Sequence, residues 1–179
     1  MRIPLTLGLV LLTAAAPARV GPGSSALKNH DTRAPVDINA ARVEVRDRDN
    51  QAIFSGNVHA VQGNMTLDSP TLRVFYEKRA GSDPEIQRID AQGGVKLTSP
   101  SETARAAYGV YDVADRTITM IGDVVLNQGD SVLRGQRLAI DLESGRSTLD
   151  GASSGAGVQT GSSGGRVTGR FVVPQKRNP

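Results

Sequence analysis

Two stretches of this chain repeat one another 66 positions apart. The run from Phe54 through Gly56-Asn57-Val58, Gln62-Gly63 and Met65 to Leu67 is echoed by Met120, Gly122-Asp123-Val124, Gln128-Gly129 and Leu133. The echo continues, with Leu72-Arg73-Val74 answered by Leu138-Ala139-Ile140. A third, degenerate copy stands between them at Gly93-Gly94-Val95-Lys96-Leu97, 37 positions after Gly56 and 29 before Gly122. A repeat of this kind is one supersecondary unit stacked on itself. Each unit reads as strand, turn, strand, so the chain must bury one continuous face built from several hairpins.

The strand reading rests on period-two alternation. It begins at Val36-Asp37-Ile38-Asn39-Ala40 and returns at Val43-Glu44-Val45. Ile53 to Val61 is a strand bent at Gly56-Asn57, and Gln62-Gly63-Asn64 is a hairpin turn. Met65, Leu67, Leu72, Val74 and Tyr76 continue the alternation with a register change at Ser69-Pro70. Ile86 to Leu97, Thr103 to Val113, Arg116 to Asn127 and Val132 to Leu142 follow, and Thr148-Leu149 opens another strand. The best helical candidate, Ala104 to Ala107, is too short to count. The glycines at 56, 93 and 122 each stand two residues before a valine inside a strand, where glycine marks a bulge or bend.

The ends read differently. Met1-Arg2 and the apolar run Ile3 to Ala16, closed by Ala16-Pro17-Ala18, have the form of a secretory signal peptide over 1–18. That run is about 14 residues, against roughly 20 for a bilayer span. Residues 19–34 are Gly, Ser, Pro and charge, and read as a flexible leader. Residues 35–174 form one domain, interrupted by a Gly/Ser-rich loop at 151–165. Val167 to Val173 is a last strand stopped by Pro174, and 175–179 read as a disordered tail.

Little in the chain suits catalysis. There is no cysteine, which removes thiol chemistry and Cys-based zinc sites. The two histidines, His30 and His59, lie in the leader and on the polar phase of a strand. Asp68, Asp90, Asp112 and Asp141 fall at turns or on polar phases, where a solvated surface acid is the simplest reading. No Ser-His-Asp set, metal cluster or phosphate loop can be assembled, and no cofactor is expected. A formal charge of +3, spread along the chain, and 3% aromatic residues speak against nucleic-acid binding by base stacking.

The opening Pro35-Val36-Asp37-Ile38-Asn39-Ala40, the Phe54-x-Gly56-Asn57-Val58 repeat with Gln62-Gly63, the Gly122-Asp123-Val124 copy and the final Val167-Thr168 to Pro174 together resemble the OstA-like β-jellyroll family. The resemblance covers about Pro35 to Pro174. The Gly/Ser loop and the low aromatic count depart from the pattern. The resemblance implies an all-β, twisted, open antiparallel jelly roll, V-shaped, of about sixteen strands. It implies a non-enzymatic periplasmic protein that binds lipopolysaccharide in an apolar trough. It also implies head-to-tail self-assembly between an inner-membrane jellyroll protein, LptC, and the N-terminal jellyroll domain of the outer-membrane LptD.

Strand parity gives the inward-facing residues, and the resemblance implies that they line the trough: Val36, Ile38, Phe54, Val58, Leu67, Leu72, Val74, Ile89, Val95, Leu97, Tyr111, Val113, Met120, Val124, Leu126, Leu133, Leu138 and Ile140. Asn57, His59, Lys96, Asp112 and Asp123 should face water. Three other readings stay open at this point. One is a membrane-anchored OstA-like partner, another a secreted β-solenoid enzyme acting on polysaccharide, and the third a structural repeat protein with a packed core.

Overall fold

A computed structural model describes Leu27, residues 30–151 and residues 166–170. The strands are β1 (Val36–Asn39), β2 (Arg42–Arg46), β3 (Gln51–Gln62), β4 (Met65–Glu77), β5 (Glu85–Thr98), β6 (Glu102–Asp112), β7 (Thr117–Gln128), β8 (Ser131–Asp141), β9 (Arg146–Asp150) and β10 (Thr168–Arg170). All pairings are antiparallel, and the strands form one sheet in the order β1-β3-β4-β5-β6-β7-β8-β10. β2 lies beside β1 on the same edge of β3, and β9 lies beside β10 on the same edge of β8.

The repeat explains how one sheet becomes two walls. Register breaks fall at Ser55/Val58 in β3, Asp68/Thr71 in β4, Gln92/Val95 in β5, Arg105/Tyr108 in β6 and Ile121/Val124 in β7. These are neighbouring points on adjacent strands, so they form a line across the sheet. A bulge bends its strand and increases local twist. Bulges stacked in line therefore fold the whole sheet. The three repeat copies share one backbone solution: Gly56-Asn57 has φ of 85° and 48°, Gly93-Gly94 has 90° and 96°, and Gly122-Asp123 has 85° and 46°. Asparagine and aspartate tolerate the left-handed region better than other side chains do, which is why the second position varies between Asn, Asp and Gly.

The fold line divides the sheet. The first half-sheet holds β2, the Gln51–Ser55 part of β3 and its partners through to β9; the second holds β1, the Val58–Gln62 part of β3 and its partners through to β10. Six long strands contribute two segments each and four short strands one each, sixteen segments in all. The sixteen-strand expectation and the ten continuous strands are thus the same architecture, counted with and without the bend. The fold is an all-β antiparallel jelly roll whose halves face each other.

One sequence expectation is modified here. The leader expectation gives residues 19–34 no packing, yet Leu27 and His30 are buried. Ala104 to Ala107 lies within strand β6, as the strand reading of Thr103 to Val113 expects. The signal-peptide segment, residues 152–165, Phe171 to Val173 and the tail lie outside the described residues.

Glycine is required at the fold line for space as well as conformation. A Cβ on Gly56 would stand 2.8 Å from the Cβ of Ala41, whose N–H donates to the Gly56 carbonyl at 3.0 Å. Gly56→Ala should therefore cost about 2 kcal/mol in urea unfolding, from positive φ together with the clash. Gly81→Ala has a similar φ of 81° but open space around it, and should cost about 1 kcal/mol. Equal losses at the two sites would show that close approach at the fold line contributes nothing.

Candidate functional site

Cross-strand register builds the inner face from three rows. On the first half-sheet, one row runs Val45, Ala52, Val74, Ile89, Tyr111, Ile118, Ile140, Ser147. The next runs Val43, Phe54, Leu72, Ala91, Gly109, Met120, Leu138, Leu149. On the second half-sheet, the row is Ile38, Ala60, Leu67, Leu97, Ala104, Leu126, Leu133, Gly169. Each row crosses eight strands and carries no charged residue. Val58, Val95 and Val124 continue the face at the fold line.

All eighteen residues nominated from sequence belong to this interior. Val58, Leu72, Val74, Ile89, Val95, Leu97, Tyr111, Met120, Val124, Leu126, Leu138 and Ile140 are buried, and Val36, Ile38, Phe54, Leu67, Val113 and Leu133 pack against them half-buried. Ser69-Pro70 resolves the register question. Met65, Leu67 and Ser69 are the more buried or inner phase before the bulge, and Leu72 and Val74 are the buried phase after it. The bulge switches inward parity from odd to even.

Alternation alone misses the small members. Ala52, Ala60, Ala91, Ala104 and Gly109 sit inward between larger neighbours; a Cβ on Gly109 would already meet Val95 Cγ1 at 3.4 Å. Their signal is in the repeat, where each falls at an inward position, but alanine and glycine carry little hydropathy. Ile118 is also inward and buried. Val43 and Val45 behave otherwise. They share the inner rows, yet are 53% and 60% exposed, because β2 is an edge strand that the opposite half-sheet does not cover.

The walls touch. A void of about 20 Å³ lies between Met65, Leu67 and Ala60 of one half-sheet and Leu72, Ile89 and Tyr111 of the other. A small-molecule pocket needs on the order of 300 Å³, so this void by itself is too small to hold a ligand. Polar groups enter it at its ends. Gln62 is buried, and its amide nitrogen donates to the carbonyls of Thr32 (3.1 Å) and Ala34 (2.9 Å). Gln128 Nε2 donates to the buried carboxylate of Glu102 at 2.8 Å. The Tyr111 hydroxyl is buried with no hydrogen-bond partner. Burial pushes its pKa up, and the neighbouring Gln62 amide and Arg116 charge oppose this.

The outer face is polar. His59 Nδ1 and Asp68 Oδ1 pair at 2.6 Å in the open. Arg88 grips the buried carboxylate of Asp90 at 2.6 and 3.1 Å. That hydrogen bond raises the Arg88 pKa, and burial followed by Asp90 raises that of Tyr108. Asn57, Lys96, Asp112 and Asp123 are on this side or at the bend, none of them fully buried. Among the described residues no group of three or more His, Asp or Glu is placed to hold a metal ion. None of their helices is long and apolar enough to cross a membrane.

A folded-over antiparallel sheet with an uninterrupted apolar inner face and a polar outer face defines a β-jellyroll of the kind built around an apolar interior. Residues 37–146 match the family described as LptA/(LptD N-terminal domain) LPS transport protein, and this chain belongs to that family. It is 32% identical over 130 residues to an uncharacterized protein of Rhizobium meliloti (strain 1021), a match covering 70% of each chain. Its fold is similar to that of LptH, described as the LptA homologous periplasmic component of the lipopolysaccharide transport device of Pseudomonas aeruginosa. The TM-score is 0.66 at 15% identity, over 80% of this chain and 99% of LptH.

Tyr111 offers a test of how finished the interior is. Tyr111→Phe removes a buried unpaired hydroxyl and should stabilise the fold by up to about 1 kcal/mol in urea unfolding. A loss of 1 kcal/mol or more would mean that the hydroxyl has a partner.

Proposed function

We propose that this protein is a non-enzymatic lipopolysaccharide carrier that bridges the periplasm, holding acyl chains along its inner face while the sugars stay in water. The observation that carries this reading is the continuity of the three inner rows. They run unbroken from one edge of the sheet to the other, and Val43 and Val45 keep that face apolar where it opens at the β2 edge. Membership of a lipopolysaccharide-transport family supports lipopolysaccharide as the cargo. The physical need is plain: each exposed CH₂ costs about 0.8 kcal/mol, so a chain of roughly twelve carbons costs on the order of 10 kcal/mol in water. An apolar wall removes most of that without any chemistry.

On this reading the two edges are joints. β1 and β2 form one edge, β9 and β10 the other, each paired on one side within the described sheet. Such edges template pairing with another chain. Contacts between unlike edges do not close on themselves and grow head-to-tail arrays. The chain would join LptC at one end and the N-terminal domain of LptD at the other, after export by the 1–18 segment.

Photo-crosslinking in cells tests the cargo. Crosslinkers at the half-buried inner positions Phe54, Leu67 and Leu133 should capture lipopolysaccharide, and those at the outer positions His59, Lys96 and Arg105 should not. Equal capture from both faces would remove the trough, and no capture from either would favour a structural protein with a packed core. Sedimentation tests the joints. Full-length protein should associate at high concentration, and deleting residues 166–179 should weaken association at least tenfold while far-UV dichroism stays β. A full-length protein that is monomeric throughout would overturn the bridge.

A further inference from the structure

Leu27 is 2% exposed and belongs to the buried core. It lines a small void together with Leu97, Ser99, Glu102, Ala104 and Leu126 of the second half-sheet and Ile140 of the first. One leucine from outside the sheet thus packs into the core shared by both walls. His30 N–H donates to the Leu27 carbonyl at 2.9 Å. The His30 ring lies on the β3–β4 hairpin, with Nε2 at 3.0 Å from Gln62 Oε1 and Nδ1 at 3.3 Å from Asn64 Oδ1. The other end of the same Gln62 amide holds the carbonyls of Thr32 and Ala34. A single inward glutamine therefore fastens three points of the leader just before β1.

We propose that Leu27 is a built-in plug in an acyl-chain socket, and that the Gln62–His30 clasp makes the leader a strap which lipid must displace to enter this end of the interior. The inference rests on the carrier reading and adds to it a competitor within the chain. The chemistry of the socket supports this. Its lining is aliphatic apart from Ser99 and Glu102, whose carboxylate accepts from Gln128 at 2.8 Å, and the void left beside Leu27 is about 10 Å³, too small for a chain while Leu27 is in place. The fastening is local and polar, and sits on a segment outside the sheet. It can therefore open without breaking a strand pairing. The bulk of the sheet stays folded in both states, as a two-state element requires.

The absence of cysteine makes the test clean. In full-length protein carrying Leu27→Cys, the thiol should react with a maleimide slowly when free. Saturation with purified lipid A should speed this at least tenfold. Leu27→Ser and, without touching the socket, His30→Ala should each bind lipid A roughly tenfold more tightly than wild type, since each weakens the closed strap. Binding is followed separately with radiolabelled lipid A, and folding by far-UV dichroism. Lipid A that binds with no change in labelling rate, or with equal affinity for wild type and both variants, overturns the strap and leaves the carrier reading standing. Failure of all forms to bind lipid A overturns the carrier reading and the strap together.

Discussion

Five adjacent long strands of this sheet, β3 to β7, yield at the same height, and the rest of the structure depends on that alignment. A bulge in one strand is a local kink. Five register breaks in adjacent strands make a crease, and a crease turns one antiparallel sheet into two facing walls. The cost is concentrated in a few residues at positive φ, Gly56-Asn57, Gly93-Gly94 and Gly122-Asp123. The gain is spread over three apolar rows that would face water on a flat sheet. Close approach helps the crease: Ala41, Pro70 and Ala107 each lie over one of the repeat glycines, with the nearest side-chain carbon 2.8, 3.2 and 3.0 Å from where a Cβ would stand. Small neighbours and glycines are one device repeated, which is why the repeat survives in sequence where the surrounding residues differ.

The strands and their inward parity were legible because period two is a local signal. Lys96 between Val95 and Leu97, or Asp112 beside Tyr111, fixes a face without knowledge of any partner strand. The bends at Gly56 and Gly122 were legible too, since glycine inside an alternating run has few other meanings. Their alignment into a crease was not, because that depends on the pairing of strands far apart in the chain. The same limit applies to Val43 and Val45. They alternate like buried residues, and local pattern cannot tell an edge from a centre. Leu27 and His30 were hidden for a different reason. The leader has no period of its own, and its order comes from groups on other elements, Gln62 and Asn64 above all. The link to lipopolysaccharide transport was legible through likeness to a family rather than through the residues, since an apolar interior looks the same whether it is filled or waiting.

That ambiguity has a physical resolution on the carrier reading. Where the two apolar walls meet among the described residues they pack on each other, and the two voids there are about 20 and 10 Å³. A lipid chain entering such an interior replaces side-chain contacts with chain contacts. It gains only the difference between the two, so its net affinity is far below the full cost of exposing it to water. A rigid, open trough would hold lipid tightly and release it slowly. A sheet that closes on itself keeps the cargo out of water without trapping it, which suits a protein that passes its load on and has no nucleotide chemistry of its own in view.

Closure also bears on the edges. A sheet with an exposed apolar inner face and two unpaired borders would invite indiscriminate pairing and aggregation. Among the described residues, Val43 and Val45 are exposed inner-row aliphatics at the β2 border, flanked by Arg42, Glu44 and Arg46 on the outer phase. The Glu44–Arg46 pair at 2.8 Å is solvent-exposed, so it adds little stability, but it sets charge beside an otherwise sticky strand. A neighbour that pairs with this edge would cover both valines by extending the inner rows, and one that mismatches the register would leave them bare. On the bridge reading, specificity for a second jelly roll would follow from the inner face itself: the partner that buries Val43 and Val45 would be one whose own apolar rows continue them.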